Sequence, residues 1–290
     1  MIPLEDTYLD IIKKASVGHG LGEKKIAQLC QLPITKINDF FNGSYCESTL
    51  KTIAQILDLD FPSLKNHADN SSHPPKIHLD GLYSYQSTFT YQPNQTLSVN
   101  HYLLTDDSTK TALLFDTGTN ATDCLEYLKN HSLKLSAIFI THQHKDHIWA
   151  LNQFTDCHPA AQIYAALPSV DPNYAFNLIE PNKPIGYGPF QIEAYTTPGH
   201  TKDGISFKVT GLSNTVMFVG DALFAHSQGG IYSREKYQHA LKINRSSILS
   251  QVDETVLAPG HGPLTTVSHE NQNNPFYANF ASKTSELDRN

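Results

Sequence analysis

Apolar and polar positions follow different periods in the two parts of the chain. Up to about residue 65, apolar residues recur at the three- and four-residue spacing of amphipathic helices, which predicts four short helices. From about residue 97, short apolar runs alternate with helical stretches. Strands are predicted at 97–105, 111–116 and 137–140 and near residues 163, 192, 205, 216 and 256, and helices at 121–129 and 235–249. The pattern indicates a small all-α region followed by mixed α and β structure.

A polar stretch at 66–76 separates these two parts. It contains the serine pair 71–72 and the proline pair 74–75 and shows no apolar period, which is typical of a linker. The predicted organisation is a helical domain at 1–65, a linker at 66–76 and a second domain at 77–290. If the first domain is an appendage, its removal is expected to leave the activity of the second largely intact.

Metal-binding side chains stand where several predicted strands end. The run 137–140 leads into the sequence THQHKDH at 141–147, and three other strand-like runs lead to His200, Asp221 and His261. Imidazole nitrogens and carboxylate oxygens are ligands that zinc and similar ions prefer. A histidine-rich surface loop would explain the first segment alone, but not four strand ends of the same kind. The sequence therefore predicts a metal centre.

The spacing within 141–147 favours convergence on one point. In extended chain, alternate side chains share a face, so His142, His144 and Asp146 can point the same way. His147 reaches that face only if the chain turns, and the apolar residues after it predict the start of a helix that supplies the turn.

In combination, these motifs resemble the signature of the metallo-β-lactamase-fold hydrolases. The sequence FDTG at 115–118 also matches the first motif of that superfamily. The tail from His261 through Glu270 to Phe276 is similar to the glyoxalase II-like branch. The resemblance covers about residues 77–280 and implies an α+β fold, a four-layer αββα sandwich preceded here by the small all-α domain.

The resemblance implies two adjacent divalent metal ions and a residue-by-residue ligand set. His142, His144 and His200 would hold the first ion, Asp146, His147 and His261 the second, and Asp221 would bridge them, while Asp116 would organise the metal loops. A hydroxide bridging the ions would attack an acyl carbon, with Asp146 holding the proton of the nucleophile. Zinc is expected first, with iron or manganese as alternatives, because such ligands accept all three.

The implied activity is hydrolysis of a small thioester, ester or lactone, as in hydroxyacylglutathione hydrolases. Only 29 of the 290 residues follow His261, too few for the glutathione-binding helical domain of full-length relatives, so the substrate stays open. One alternative is an iron-dependent sulfur (persulfide) dioxygenase, although 222–227 lacks the Cys- and Arg-rich sequence typical of those enzymes. Another is a DNA-binding regulator with a metal-binding sensor domain, and a nuclease is a weaker one.

Substrate contacts are less clearly marked. Trp149 replaces a small residue usual after the metal loop and is a candidate pocket residue, although its helical position favours the core. Tyr232, after two glycines, is a second candidate. The alternating aromatic residues at 83–91 predict a strand face or a pocket lining, and 167–188, rich in Pro and Asn, is a candidate lid or surface loop.

The N-terminal helices resemble phage-repressor-type DNA-binding domains. The helix-turn-helix pattern covers residues 23–43, with Gln31 where a turn glycine is usual. The helix that would contact DNA, residues 35–42, carries Lys36 and Asn38 but also Asp39. Up to residue 65, seven lysines face eight acidic side chains. Docking or self-association into a homo-oligomer is therefore favoured over nucleic-acid binding.

Composition narrows the class of protein. Hydrophobic content of 39% and charged content of 17% are those of a soluble globular chain, and no apolar run approaches the ~20 residues of a membrane span. The net charge of −7 argues against a bulk nucleic-acid binder. The N-terminus lacks the features of a signal peptide. Four scattered cysteines, Cys30, Cys46, Cys124 and Cys157, predict reduced thiols. A cytoplasmic protein acting on a small-molecule substrate is expected.

Overall fold

The structure, a computed structural model, describes residues 2–93, 95–181 and 183–278. Its first part is helical, as predicted. A capping box begins the first helix, in which the Thr7 hydroxyl accepts from the backbone N–H of Asp10 and the Asp10 carboxylate accepts from the backbone N–H of Thr7. The helices are α1 (Tyr8–His19), α2 (Glu23–Cys30), α3 (Ile34–Phe41), α4 (Glu47–Ile56) and α5 (Phe61–Ala68).

Helix α5 was not among the four predicted helices. Asp60 caps it by accepting from the backbone N–H of Ser63, and a proline stands in its first turn. These start signals were present in the sequence, and the helix continues three residues into the predicted linker. Between α2 and α3, Gln31 adopts the left-handed conformation with φ of 55° that glycine usually takes. The helix-turn-helix character of this pair stays a prediction.

Two six-stranded sheets form the framework of the rest of the described chain. The first contains β1 (Leu82–Gln92), β2 (Gln95–Asp106), β3 (Thr111–Phe115), β4 (Lys134–Phe139), β5 (Gln162–Ala165) and β6 (Asn177–Leu178) in that order. The second, in the order β12 to β7, contains β7 (Ile185–Tyr187), β8 (Phe190–Thr196), β9 (Ile205–Thr210), β10 (Val216–Gly220), β11 (Val256–Pro259) and β12 (Thr265–Thr266). The predicted strands are thus present.

Five further helices connect or flank the strands: α6 (Thr122–Asn130), α7 (Lys145–Ile148), α8 (Leu151–Cys157), α9 (Arg234–Ile243) and α10 (Val267–Asn273). The helix predicted at 235–249 is α9, which continues into a π-helical turn at Asn244–Ile248.

Three buried apolar clusters lie between successive layers of helices and sheets, in the predicted αββα arrangement. The two sheets enclose one core, in which the rings of Phe115 and Phe218 stack with centroids 3.6 Å apart. The outer face of the first sheet packs on α6 and α8, with Phe154 fully buried. The outer face of the second sheet packs on α9 and on the N-terminal helices. The fold is therefore mixed α and β, with two sheets between helical layers.

The helical region shares its core with the second sheet. Ile11, Ile12 and Ile53 belong to the same buried cluster as Met217 and Val219 of β10. A β-carbon at Gly18 of α1 would lie 2.4 Å from the ring of Tyr237 in α9, so the two helices meet at a position where a side chain does not fit. Because this core is continuous, the helical region is not a loose appendage, and removing it would expose apolar surface of the second sheet.

Two further features concern membrane-spanning helices and the cysteines. Within residues 2–93, 95–181 and 183–278, no helix is long and apolar enough to cross a membrane. All four cysteines are free, as expected from their scattered positions.

Candidate metal centre

Four loops that leave strand ends carry the predicted ligands to one place. β3 and β4 run parallel in the first sheet, and β10 and β11 run parallel in the second, so the carboxyl ends within each pair lie at one edge. Helix α7 begins directly after His144, and its turn directs His147 back towards the preceding residues. The loops after β4, β8, β10 and β11 therefore converge.

Seven side chains form two adjoining groups, and within each group the potential ligand atoms lie within 4.8 Å of one another. His144 is exposed and His200 half-buried, whereas the other five are buried. The first group is His142, His144, His200 and Asp221, and the second is Asp146, His147 and His261. These are the seven residues that the sequence nominated as ligands. Their ligation of metal stays a proposal.

Asp221 lies between the two groups. Its Oδ2 is 3.4 Å from Nε2 of His200 and 3.5 Å from Nε2 of His261. Its Oδ1 is 3.3 Å from Nε2 of His147. One carboxylate therefore faces histidines of both groups, which is the geometry expected of a bridging ligand.

Hydrogen bonds on the far side of three rings orient their Nε2 atoms towards the centre. Each ring donates through Nδ1 to an oxygen, which leaves the lone pair of Nε2 free to bind an ion. The bonds run from His147 to Asp116 Oδ2 (2.8 Å), from His200 to the carbonyl of Gly230 (3.0 Å) and from His261 to the carbonyl of Ser98 (2.7 Å).

Asp116 lies outside the two groups and bonds to residues in and beside them, while its role in organising the metal loops stays a prediction. The residue has a left-handed backbone with φ of 56°. Its carboxylate accepts from the backbone N–H and the hydroxyl of Thr141, each at 2.8 Å, as well as from His147. The Thr141 hydroxyl in turn can accept from Nδ1 of His142 at 3.1 Å. Thr141 was not predicted as a site residue, because its role depends on Asp116, 25 residues earlier in the chain.

Gly260 allows the backbone to come close to the side chains of Asp221 and His147. A β-carbon at this position would lie 2.3 Å from Oδ1 of Asp221 and 2.5 Å from Cε1 of His147. Such distances are impossible for a side chain, so glycine is required for this approach of backbone to ligands. The contact that this glycine permits is visible only in the structure.

The electrostatics of the site favour a cation. Burial lowers the pKa of His147, but the carboxylates of Asp221 and Asp116 outweigh it and raise that pKa to about 10. Burial also lowers the pKa of His142 well below its usual value, so that ring stays neutral. Nε2 of both rings and Oδ1 of Asp221 are buried without a hydrogen-bond partner among the described residues. His142 offers a neutral imidazole with a free lone pair, and the carboxylates that stabilise a proton on His147 would equally stabilise a divalent metal ion, which takes the place of that proton when it binds.

The two candidate substrate contacts are exposed. Trp149 follows α7 and is 57% exposed, so the expectation of a core residue is wrong, and its ring lies 6.2 Å from that of Phe89 in β1. Tyr232 is 86% exposed. Their contact with substrate stays a prediction. The aromatic residues at 83–91 form β1, where Tyr83 and Tyr85 pack on the helix side of the first sheet.

Gln143 ties the candidate lid to the metal loop. Its side-chain nitrogen donates to the carbonyl of Pro168 at 3.0 Å, and its side-chain oxygen accepts from the backbone N–H of Val170 at 2.8 Å. The backbone N–H of Gln143 donates to Asp203 at 3.0 Å. The residue stands between two of the proposed ligands, so the segment 167–188 begins in contact with the site. The sequence carried no signal for these bonds.

The N-terminal segment also reaches the site. The backbone nitrogen of Glu5 would lie 3.3 Å from a β-carbon at Gly262, directly after His261. Lys14 of α1 donates to the carbonyl of Gln228 at 2.9 Å and lies over the ring of Phe224. The helical region therefore contacts the loop that follows Asp221, which sequence reasoning missed.

A family model decides the identity of the fold. The model of the Metallo-beta-lactamase superfamily matches residues 95–261, more than half of the chain. The chain belongs to this superfamily. The match includes every strand end that carries a proposed ligand, so the resemblance drawn from the motifs is confirmed at the level of the superfamily.

Several curated relatives are named as hydrolases. The probable metallo-hydrolase YqgX of Bacillus subtilis is 30% identical over 203 residues, which are 62% of this chain and 92% of the relative. Hydroxyacylglutathione hydrolase GloC of Haemophilus influenzae is 29% identical over 210 residues, 63% of this chain and 95% of the relative. Among solved structures, the BLEG-1 B3 metallo-beta-lactamase aligns with a TM-score of 0.54 at 27% identity, over 67% of this chain and 99% of that one.

Proposed function

We propose that this metallo-beta-lactamase-superfamily protein is a binuclear metal-dependent hydrolase that cleaves a small thioester, ester or lactone. Its relatives named as metallo-hydrolases and as hydroxyacylglutathione hydrolases support hydrolysis of an acyl bond. The observation that carries the proposal is the carboxylate of Asp221, whose two oxygens face histidines of both groups at 3.3–3.5 Å.

The seven converging side chains are proposed as the ligands. Two cations a few ångströms apart repel each other, and an anionic group between them offsets that repulsion. Zinc is the first candidate, with iron and manganese as alternatives, because nitrogen- and oxygen-rich sites bind all three. His142, His144 and His200 would hold one ion, Asp146, His147 and His261 the other, and Asp221 both.

Bound divalent ions would make a water molecule acidic enough to ionise near neutral pH and would polarise the acyl carbonyl. The protein fixes the geometry for this chemistry through Asp116 and the carbonyls that hold the rings. Asp146 has an oxygen 3.4 Å from Nε2 of His261, and we propose that its carboxylate also holds the proton of the nucleophile and passes it to the leaving group.

The exposed side of the site is where a substrate would enter. His144 is exposed and His200 half-buried, whereas His147 and His261 are buried beneath them. Trp149 and Tyr232 offer exposed aromatic surface and are proposed as substrate contacts. Removing either ring is expected to raise KM more than it lowers kcat, because neither belongs to the ligand set.

The proposal is tested by metal quantification and a substrate panel on the full chain purified without chelator. Thioesters, esters and lactones are expected to be cleaved without oxygen uptake, and Asp221→Asn is expected to lose both bound metal and turnover. Asp253→Asn, an exposed carboxylate, is the matched control and should behave as the parent.

Oxygen uptake with a persulfide substrate would instead identify a dioxygenase. Sequence-specific binding of DNA fragments, without turnover of any acyl substrate, would identify a regulator. Either result overturns the proposed hydrolysis.

A further inference from the structure

A third group of histidine and carboxylate side chains lies at the contact between the helical region and the second sheet. His226 comes from the loop after β10, and His269 and Glu270 come from α10. The potential ligand atoms of these three residues lie within 4.8 Å of one another. We call them the joint cluster. His67 of α5 lies against the cluster, with its Nδ1 3.4 Å from Nδ1 of His226.

The backbone holds His226 in an unusual conformation to place its ring there. Its φ of 63° is in the left-handed region, which costs energy for a residue with a side chain. The backbone N–H of His226 donates to Oε2 of Glu270 at 2.9 Å, and the residue is fully buried. The conformation is thus fixed by the carboxylate of the same cluster.

The hydrogen bonds of His67 set which nitrogen of His226 is free. Nε2 of His67 donates to the carbonyl of Asp6 at 2.8 Å, so Nδ1 of His67 is the acceptor for Nδ1–H of His226. The lone pair on Nε2 of His226 is then directed at Nε2 of His269, 2.7 Å away. Burial, followed by the charges of His269, His67 and His73, lowers the pKa of His226 to about 3.

Glu270 supplies a carboxylate oxygen that still has a lone pair available for a metal ion. Its Oε2 accepts from His226 and from the side chain of Asn274 at 2.8 Å, whereas Oε1, among the described residues, accepts only from the hydroxyl of Thr265, at 2.7 Å. A carboxylate oxygen has two lone pairs, so Oε1 retains one. Burial raises the pKa of Glu270 to about 7, and a neighbouring cation would hold it ionised. Thr265 and Asn274 orient this carboxylate as outer partners orient metal ligands.

The ring contact leaves room for an ion after a small movement. Two nitrogens bound to one zinc at about 2.0–2.1 Å stand about 3.3 Å apart in a tetrahedral site. The present 2.7 Å must therefore widen by about 0.6 Å. His269 is only half-buried and can move, and its other ring nitrogen has a long contact, 3.4 Å, with the side-chain nitrogen of Asn273. In the proposed catalytic centre, Nδ1 of His144 and Nε2 of His200 approach similarly, to 3.1 Å.

We propose that His226, His269 and Glu270 bind a third divalent ion of the zinc class, which fastens α10 and the loop after β10 beneath the helical region. Water would complete its coordination from the exposed side of His269. The site is structural, because it shares no residue with the proposed catalytic centre. His67 is a positioning residue that fixes the tautomer of His226.

The test is zinc content per full-length chain purified without chelator and dialysed against metal-free buffer. The parent is expected to retain one more zinc equivalent than His269→Ala. His239→Ala, which removes an exposed histidine of α9, should match the parent. His269 is chosen because it is half-buried, so its truncation is tolerated better than that of His226.

A second measurement separates this proposal from the catalytic one. In the Asp221→Asn background, added Zn²⁺ is expected to raise the unfolding midpoint, and His269→Ala is expected to abolish that shift. If the zinc content of the parent and of His269→Ala is equal, or the midpoint shift persists in the double variant, the third site is excluded. The 2.7 Å contact is then a hydrogen bond between neutral imidazoles.

Discussion

Nδ1 of His147 donates to the carboxylate of Asp116 at 2.8 Å, and both side chains are buried. This bond fixes the tautomer in which Nε2 of His147 faces Asp221. The same carboxylate accepts from Thr141, which precedes the metal loop. One buried carboxylate, at the end of β3, therefore sets the orientation of residues from the neighbouring strand end.

Replacing Asp116 with asparagine is expected to weaken metal binding by about 10–100-fold, the usual cost of losing an outer partner. Asparagine tolerates the left-handed backbone found here, so the fold should persist. Metal affinity is measured by competition with a chromophoric chelator. Asp123→Asn, at an exposed position of α6, is the control, and equal affinities of the two variants would contradict the role of Asp116.

Alanine at Gly260 is expected to displace the carboxylate of Asp221, because the added carbon would lie 2.3 Å from Oδ1. A ligand displaced by about 1 Å costs about 100-fold in rate, so turnover should fall by at least that factor. Steady-state kinetics and bound-metal content provide the measurement. A β-carbon at Gly22 would meet no atom within 4 Å, so Gly22→Ala is the control. Undiminished turnover in Gly260→Ala would place Asp221 outside the reaction.

His101 is expected to make the protein less stable in acid. The ring is buried in β2 with no hydrogen-bond partner for either nitrogen among the described residues, and burial lowers its pKa to about 4. Below its unfolded pKa of about 6.5, the unfolded chain takes up a proton that the native chain does not. The free energy of unfolding should therefore fall by about 3 kcal/mol as pH drops from 6.5 to 4.

Denaturant unfolding at several pH values, with His101→Leu as the comparison, isolates this contribution. The other buried histidines titrate in both proteins, so only the difference between the two pH profiles reports on His101. The variant should lose part of its acid sensitivity. Identical profiles would show that this ring does not resist protonation in the native state.

Ile12→Ala in α1 is expected to lower the free energy of unfolding by about 2–5 kcal/mol, as for other large apolar side chains removed from a core. Because Ile12 and Val219 of β10 share one cluster, the two sheets should unfold in the same transition as the helical region. Trp149, the one tryptophan of the chain, reports on the metal loop by fluorescence, while far-ultraviolet circular dichroism reports on the whole.

We expect the unfolding midpoints from the two probes to coincide. Ile12→Ala should lower both by the same amount. Val17→Ala, at a position of the same helix that is 43% exposed, should shift neither. A fluorescence midpoint that ignores Ile12→Ala would mean that the helical region unfolds independently, as an appendage would.

The amino-acid sequence by itself nominated the seven side chains that converge at the candidate metal centre and indicated the type of fold around them. The strands at 111–116 and 137–140 were readable because buried strands are short continuous apolar runs. The ligand candidates were readable because metal chemistry needs particular side chains at strand ends. Helix α5 was missed although Asp60 and the proline after Phe61 mark its start, because its apolar residues are too few to show a period.

Only the tertiary structure decided how distant residues meet. The placement of Asp221 between two histidine groups, the Asp116–His147 bond and the joint cluster of His226, His269 and Glu270 each join residues that no sequence spacing relates. The exposure of Trp149 and the core shared by α1 and β10 were decided in the same way. The physical reason is that the apolar period of a helix or strand shows which of its own faces is buried. It does not show which other element covers that face, because that depends on how the elements pack together.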